Sequence, residues 1–179
     1  MPEVQIRPAI STDLSPLMVI DHSCQTDYVW QMDMQHEEGK LGAVFREIRL
    51  PRSVSVSYPR SVSWLSENWN HRSGILVAVI EEQTVGYVRS NDLILPHTAW
   101  LIDLVVAPRY RRTGIASALV LAAQSWAVQR NDNRILLEMP SKNNPAIRLA
   151  QKLGYEFCGY NDQYYERQEI ALFFGRSIR

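Results

Sequence analysis

Residues 111–116 read Arg-Arg-Thr-Gly-Ile-Ala and stand where a predicted strand gives way to a predicted helix. Upstream, residues 99–106 are almost continuously apolar and rich in β-branched side chains, which predicts a buried strand that Pro108 ends. Downstream, apolar residues recur at helical spacing and predict a helix over 114–129. The first turn of a helix has unpaired backbone N–H groups and the positive end of the helix dipole, so this junction is suited to bind a pyrophosphate.

Two other phosphate-binding motifs do not fit this junction. A P-loop ends in Gly-Lys-Ser/Thr, and the dinucleotide fingerprint has G-x-G-x-x-G at the start of a βαβ unit. Neither pattern occurs in the sequence. Gly114 and Ala116 leave the loop backbone open to an anion instead, and Arg111 and Arg112 add positive charge.

A second motif follows about 30 residues on, the usual length of one crossover unit. Residues 134–138 predict a short apolar strand, and a helix with one apolar face follows it. We expect Asn144 to cap this helix and Pro145 to occupy its first position. Gly154 is expected to end it in the left-handed conformation.

Together the two motifs resemble those of the GNAT superfamily of acyl-CoA-dependent N-acetyltransferases. The first resembles the family's R/Q-x-x-G-x-G/A loop, and the second its N-x-x-A-x-x-L-Y-x-x-x-G-F/Y pattern. The likeness covers roughly residues 74–175 and is nearest to streptothricin acetyltransferases and ribosomal-protein alanine N-acetyltransferases. The residues in register with the second pattern are Asn143, Ala146, Leu149, Gly154 and Tyr155.

One position departs from the family pattern. Ala150 stands where the family has the tyrosine that is usually assigned to protonate the leaving thiolate. Nothing in the sequence selects a replacement acid. The residues that stay open, besides solvent, are Tyr155, Tyr160, Tyr164 and Tyr165.

The resemblance implies an α/β fold, in which a mixed, mostly antiparallel sheet is flanked by helices on both faces, in a single domain over 1–179. An extra N-terminal hairpin is expected, because residues 28–34 and 43–50 alternate in hydropathy on either side of a turn at 37–40. A third segment, 54–58, is expected to pair with it. The same rules predict strands at 4–7, 75–80, 85–90 and 169–174, a helix over 11–22, a turn at 161–165, and a short helix with Trp64 and Trp69 that ends near His71.

One face of the predicted hairpin carries Trp30, Met32 and Met34. Such a face can cover an acceptor pocket, form a homodimer contact, or simply pack on the rest of the domain. The sequence leaves these three alternatives open.

The resemblance also implies acetyl-CoA as cosubstrate, without a metal. Its pantetheine arm is expected in a gap between the strands that end near Val106 and Glu138. A backbone N–H near Val106 is expected to polarise the thioester carbonyl, as an oxyanion hole does. The residues expected to contact the cosubstrate are Leu104, Val105, Val106, Arg111, Arg112, Thr113, Gly114, Ile115, Ala116, Ser117 and Asn143.

Glu138 is the base expected to take the proton of the attacking amine, since ribosomal-protein acetyltransferases have a glutamate at the same place. The alternative is a structural ion pair between Glu138 and an arginine. Asp103 is the second candidate, although a lone charge in an apolar strand more often serves as a structural hydrogen-bond partner.

The function implied is acetyl transfer from acetyl-CoA to a primary amine by direct attack in a ternary complex. The acceptor is expected to be a small-molecule or peptide amine. The alternative is a catalytically silent acyl-CoA-binding sensor or interaction domain, which Ala150 favours.

The composition excludes several other classes of protein. The 179 residues are 46% hydrophobic and 21% charged, enough for one folded domain. Lys+Arg and Asp+Glu both number 19, so no net charge favours nucleic acid or a membrane surface. No segment reaches the roughly 18 apolar residues of a membrane span, and we expect a cytoplasmic protein. Cys24 and Cys158 are expected to be free thiols. The spacing of the four histidines, His22, His36, His71 and His97, does not match a metal-binding motif.

Overall fold

The computed structural model of the chain describes residues 3–67, 74–91 and 95–178, so Trp69 and His71 lie outside the described residues. The strands are β1 (Gln5–Pro8), β2 (Cys24–Glu37), β3 (Lys40–Val56), β4 (Ile75–Ile80), β5 (Gln83–Asn91), β6 (Thr98–Val106), β7 (Arg134–Pro140), β8 (Glu156–Tyr165) and β9 (Glu169–Ser177). The helices are α1 (Leu14–Met18), α2 (Trp64–Glu67), α3 (Ile115–Gln129) and α4 (Asn144–Lys152).

Seven of these strands form one sheet in the order β1-β4-β5-β6-β7-β9-β8. β6 and β7 run parallel because α3 carries the chain across between them, while the other neighbouring pairs are antiparallel. The expected mixed, mostly antiparallel sheet is confirmed. None of the helices described is long and apolar enough to cross a membrane.

Helices cover both faces of the sheet, as expected. Side chains alternate along β4, so Leu76 and Ala78 pack in the same core as α3 and α4, whereas Val77 packs in a second core on the other face. That second core includes Leu17 of α1 and Leu65 of α2.

The N-terminal hairpin is confirmed, but β3 is longer than the sequence predicts. The third segment, 54–58, is not a separate strand, because β3 continues to Val56 and pairs there with Cys24 of β2. Pro51, which has no N–H to donate, lies where the register shifts between Thr26 and Tyr28. An irregularity of this kind admits a proline inside a strand.

Trp30 fastens the hairpin to the domain. Its backbone N–H donates to the carbonyl of Ser141 at 2.9 Å, and its indole N–H donates to Oδ1 of Asn144 at 3.0 Å. On β3, the ring of Phe45 lies 5.3 Å from that of Tyr160. Of the three alternatives for the apolar face, packing on the domain is therefore what Trp30 does in this structure.

We expect Trp30→Ala to lower the free energy of unfolding by about 2 kcal/mol, less than the 3–5 kcal/mol of a fully buried aromatic, since the indole is half-buried. Thermal denaturation checks this, with a fall in Tm of about 4–8 °C. Met34→Ala is the matched control, because Met34 is 47% exposed and its loss should leave Tm nearly unchanged. A raised acceptor KM at unchanged Tm, or a shifted oligomeric state, would contradict a packing role for Trp30.

Two local predictions are wrong. The helix predicted through His22 ends at Met18, because the chain leaves it in a tighter turn, in which the N–H of Ile20 donates to the carbonyl of Leu17 at 3.3 Å and Ile20 still packs against the same core as Leu17. Residues 161–165 do not form a turn but end β8, and the reversal into β9 follows them. The polar residues there lie at a register shift, where Gln163 adopts a φ of 53°.

Candidate active site

A gap opens between β6 and β7 where the sequence analysis expects one. The strands pair from Thr98 and Arg134 to Leu101 and Leu137. Beyond those residues β6 stays with β5 and β7 stays with β9. The slot between them has a cavity volume of about 70 Å³, and residues of β6, β7, α3, α4 and the end of β3 line it.

Backbone donors of β6 face this gap. The N–H of Ala107 donates to the carbonyl of Val85 on β5 at 2.8 Å. Because N–H groups alternate in direction along a strand, those of Leu104 and Val106 point to the opposite side, into the gap. This is the arrangement that the oxyanion-hole expectation requires.

The N-terminus of α3 lies beyond the end of β6. Gly114, the residue before the helix, has a φ of +95°, and no side chain caps the helix. The first intrahelical bond is donated by the N–H of Ala118 to the carbonyl of Gly114 at 3.0 Å, so the preceding N–H groups of this turn have no intrahelical acceptor. A Cβ added at Gly114 would meet no atom within 4 Å, so the space above the loop is open.

Arg111 is engaged with the backbone in this structure. Its Nε donates to the carbonyl of Val106 at 2.8 Å, and its NH2 group donates to the carbonyl of Asp21 at 2.6 Å. Arg112 and Thr113 are exposed in the loop. Arg111 therefore fastens the loop to the end of β6, while its contact with phosphate stays a prediction.

Asn143, rather than Asn144, caps α4, which corrects the sequence-based assignment. Oδ1 of Asn143 accepts the N–H of Ala146 at 3.2 Å, and Pro145 falls at the second helical position. The side chain of Asn144 is the acceptor for Trp30 instead. Adjacent asparagines offer the same capping chemistry, so composition does not distinguish them.

Cys24 lies beside Asn143 on the wall of the slot. Its thiol donates to Oδ1 of Asn143 at 3.5 Å. Burial raises the pKa of the Cys24 thiol, which keeps it protonated. Within the described residues both Cys24 and Cys158 are free thiols, as expected.

Glu138 lies on the face of the sheet opposite α3 and α4, because its neighbours Leu137 and Met139 both pack in the core of those helices. Its side chain is fully buried, and an arginine, Arg60, donates to its Oε1. The ion pair that the sequence analysis left open for Glu138 is thus present. Three neutral groups also donate to this carboxylate: Trp100 Nε1 at 3.0 Å, the Tyr164 hydroxyl at 3.1 Å and the Tyr165 hydroxyl at 3.0 Å.

Asp103 shares that face and is equally buried. Arg89 donates through Nε to its Oδ2 at 2.6 Å. Arg60 approaches its Oδ1 at 3.4 Å, and the hydroxyl of Tyr58 donates to the same oxygen. Asp103 thus has the hydrogen-bond partners of a structural carboxylate, while its candidacy as the base stays a prediction.

The tyrosines around the slot are held as neutral hydrogen-bond donors. Burial, followed by the nearby carboxylates, raises the pKa of Tyr58 and of Tyr165 well above the usual range. Among the four tyrosines that follow Ala150, Tyr165 lines the slot. Tyr155 is buried in the core, and burial raises its pKa to about 12.

His22 extends the polar network at the slot's wall. Nδ1 of His22 donates to the carbonyl of Ile20 at 2.6 Å, so Nε2 accepts the hydroxyl of Tyr87 at 3.1 Å. Burial lowers the pKa of His22, which favours its neutral form. His22 is 65 residues from Tyr87 in sequence, and no local pattern indicates that they meet.

Three of the residues expected to contact the cosubstrate line the slot: Leu104, Val105 and Asn143. Val106 ends β6, residues 111–114 form the loop before α3, and residues 115–117 form the first turn of that helix. Sequence reasoning missed Tyr58 and Arg60, which lie after β3 outside any motif. The one sequence signal for an arginine was indirect, because two buried carboxylates require nearby cations.

Comparison with known proteins gives a consistent result. A model of the acetyltransferase (GNAT) family matches residues 43–155. The streptothricin acetyltransferase of Streptomyces lavendulae is 32% identical over 75 residues, which are 39% of this chain and 40% of that enzyme. An N-alpha-acetyltransferase of Sulfurisphaera tokodaii is 28% identical over 161 residues, which are 77% of this chain and 96% of that protein.

A solved structure shares the fold. It is that of a Bacillus anthracis protein described as a streptothricin acetyltransferase, in complex with acetyl coenzyme A. The TM-score is 0.78 at 21% identity, over 98% of this chain and 99% of that chain.

Proposed function

The chain belongs to the acetyltransferase (GNAT) family, and on that premise we propose that it transfers an acetyl group from acetyl-CoA to a primary amine by direct attack in a ternary complex. The observation that carries the proposal is the gap between β6 and β7, whose pairing stops at Leu101 and Leu137. Both faces of the sheet contribute side chains to this slot.

The residues present fit acetyl-CoA. The slot is narrow and its walls include Leu104, Val105 and Leu149, which suits a thin, largely apolar arm. The open N-terminus of α3, with space above Gly114, suits the pyrophosphate. A solved relative of the same fold, described above, holds acetyl coenzyme A, which supports the same cosubstrate here.

When bound, acetyl-CoA supplies a thioester carbonyl carbon that an amine can attack. We expect the N–H groups of Leu104 and Val106 to donate to the carbonyl oxygen as negative charge develops on it. A bond forms between the amine nitrogen and the acetyl carbon while the carbon–sulfur bond breaks. Glu138 accepts the proton that the amine loses, directly or through water. Solvent supplies the proton for the leaving sulfur, because Ala150 offers no phenol and thiols have a pKa near 8.5.

The acceptor is proposed to be a small-molecule or peptide amine. The names of the relatives support both kinds, an antibiotic in one case and an N-terminal amine in the other. Release of free CoA from acetyl-CoA, measured with streptothricin, N-terminal peptides, amino acids and polyamines, tests the proposal. Binding of CoA with neither hydrolysis nor transfer would favour the silent binding domain instead.

Gly114→Val is expected to weaken CoA binding more than Arg111→Ala does. A valine at a φ of +95° is strained, and its side chain fills the open space through which several N–H groups are reached. Loss of the Arg111 guanidinium should cost about 1.5–3 kcal/mol of binding free energy, the range for charged hydrogen bonds. Calorimetric titration with CoA measures both.

Gly39→Val is the matched control for this pair. Gly39 also has a positive φ, +74°, and open space around its Cβ position, but it lies in the turn of the hairpin. Its change imposes comparable backbone strain and should leave CoA affinity as in the parent. Parent-like affinity in the Gly114→Val protein would refute the phosphate site at α3.

A further inference from the structure

We propose that Arg60 is a positioning residue for this reaction. Its guanidinium links β6 to β7 across the gap and holds the carboxylate of Glu138 on the face of the sheet opposite α3 and α4. The inference rests on the proposed function, which supplies the reaction that is positioned.

Arg60 links β6 and β7 just beyond the point where their backbone pairing ends. On β6 its NH1 group donates to the carbonyl of Ile102 at 3.0 Å and approaches Oδ1 of Asp103 at 3.4 Å. On β7 its NH2 group donates to Oε1 of Glu138. Ile102 and Glu138 are the residues that directly follow the last paired positions, Leu101 and Leu137. One side chain therefore bridges the strands at the point where they diverge.

Charge and burial make this contact specific. Asp103 has a second cation, Arg89, whose side chain is 3% exposed. The other donors to Glu138 are a tryptophan and two tyrosines, so among the described residues Arg60 supplies the positive charge for this carboxylate. The guanidinium also lies 5.3 Å above the ring of Tyr165, which packs against the same carboxylate. The planar guanidinium of arginine, with several N–H donors in fixed directions, suits such a bridge better than the ammonium of lysine does.

The location of Arg60 in the slot indicates a role in the reaction as well as in the stability of the fold. The residue follows β3 and lines the slot, on the face of the sheet that Glu138 and Asp103 share. An amine that reaches Glu138 through the slot therefore meets a carboxylate whose orientation Arg60 fixes. Displacement of a reacting group by about 1 Å can cost on the order of 100-fold in rate.

Arg60→Gln tests the inference, with Arg60→Lys as the conservative variant and Arg7→Gln as the matched control. Arg7 pairs with the buried Asp13, outside the slot. We expect Arg60→Gln to lower kcat by about 10- to 100-fold with CoA affinity within twofold of the parent. Arg60→Lys should have a higher kcat than Arg60→Gln, because lysine keeps the positive charge but lacks the paired N–H donors of the guanidinium. Arg7→Gln should lower Tm with kcat unchanged below the melting transition.

Two further measurements separate this inference from the proposed function. Amide hydrogen exchange at Asp103 and Met139, in the paired strands that flank the bridge, should quicken in Arg60→Gln, which reports the bridge without any turnover. In a Glu138→Gln background, Arg60→Gln should cause little further loss of kcat, since it acts through Glu138. Parent-like kcat with unchanged exchange, or a loss of kcat fully explained by unfolding, would overturn the role of Arg60. A parent that transfers acetyl to no amine would overturn the proposed function, while quickened exchange would still establish the bridge.

Discussion

Glu138→Gln is expected to reduce turnover by roughly 10² to 10⁴, the usual contribution of a positioned general base. Gln keeps the shape of the side chain but removes the basic site. It also presents an amide donor to Arg60, Tyr164 and Tyr165, which all donate to this position. CoA affinity should stay nearly intact, because the expected phosphate contacts lie at the start of α3.

The measurement is kcat and kcat/KM across pH, at a temperature where the variant remains folded. Breaking a buried ion pair costs about 3–5 kcal/mol, so Tm must be determined first. Glu169→Gln is the matched control, since that carboxylate pairs with Lys142 outside the slot. Full turnover across the pH range would show that Glu138 has a structural role only. The proton of the attacking amine would then pass to Asp103, a tyrosine or water.

Asp103→Asn should have the largest effect on stability. The change leaves the Arg89 guanidinium, 3% exposed, without its buried counter-ion. Loss of one partner of such a pair costs about 3–5 kcal/mol, which corresponds to a fall in Tm of roughly 6–20 °C. Tyr58 also loses a charged acceptor for its hydroxyl.

Thermal and urea denaturation of the Asp103→Asn protein measure this loss. Asp33→Asn is the control, because Asp33 pairs with Arg46 on the exposed hairpin, where solvent screens the interaction. That control should melt close to the parent. If both variants melt like the parent, the buried charge cluster around Asp103 does not stabilise the fold as described.

Local signals predicted the elements that carry the proposed cosubstrate site. The helix over 114–129 was expected within one residue of α3, because glycine, helical periodicity and the preceding proline all act within one short segment. The divergence of the strands near Val106 and Glu138 was expected from the family resemblance and is observed in the pairing.

The contacts around Glu138 could not be predicted in the same way. Arg60 and Glu138 are separated by 78 residues, so no spacing rule connects them. The continuation of β3 past Pro51 depends on a register shift that only the partner strand defines. The choice of Asn143 over Asn144 as the helix cap depends on which side chain Trp30 engages. In each case, a contact between residues far apart in the chain decides between alternatives that local sequence patterns do not distinguish.

The slot reaches both faces of the sheet, with α3 and α4 on one side and the carboxylates of Asp103 and Glu138 on the other. On the proposed function, acetyl-CoA and the amine therefore contact the slot from opposite faces of the sheet. The residues that surround Glu138 and those of the loop at Gly114 belong to different elements, so changes in one region need not disturb the other. Evolution of a new acceptor preference is then separable from retention of a common donor.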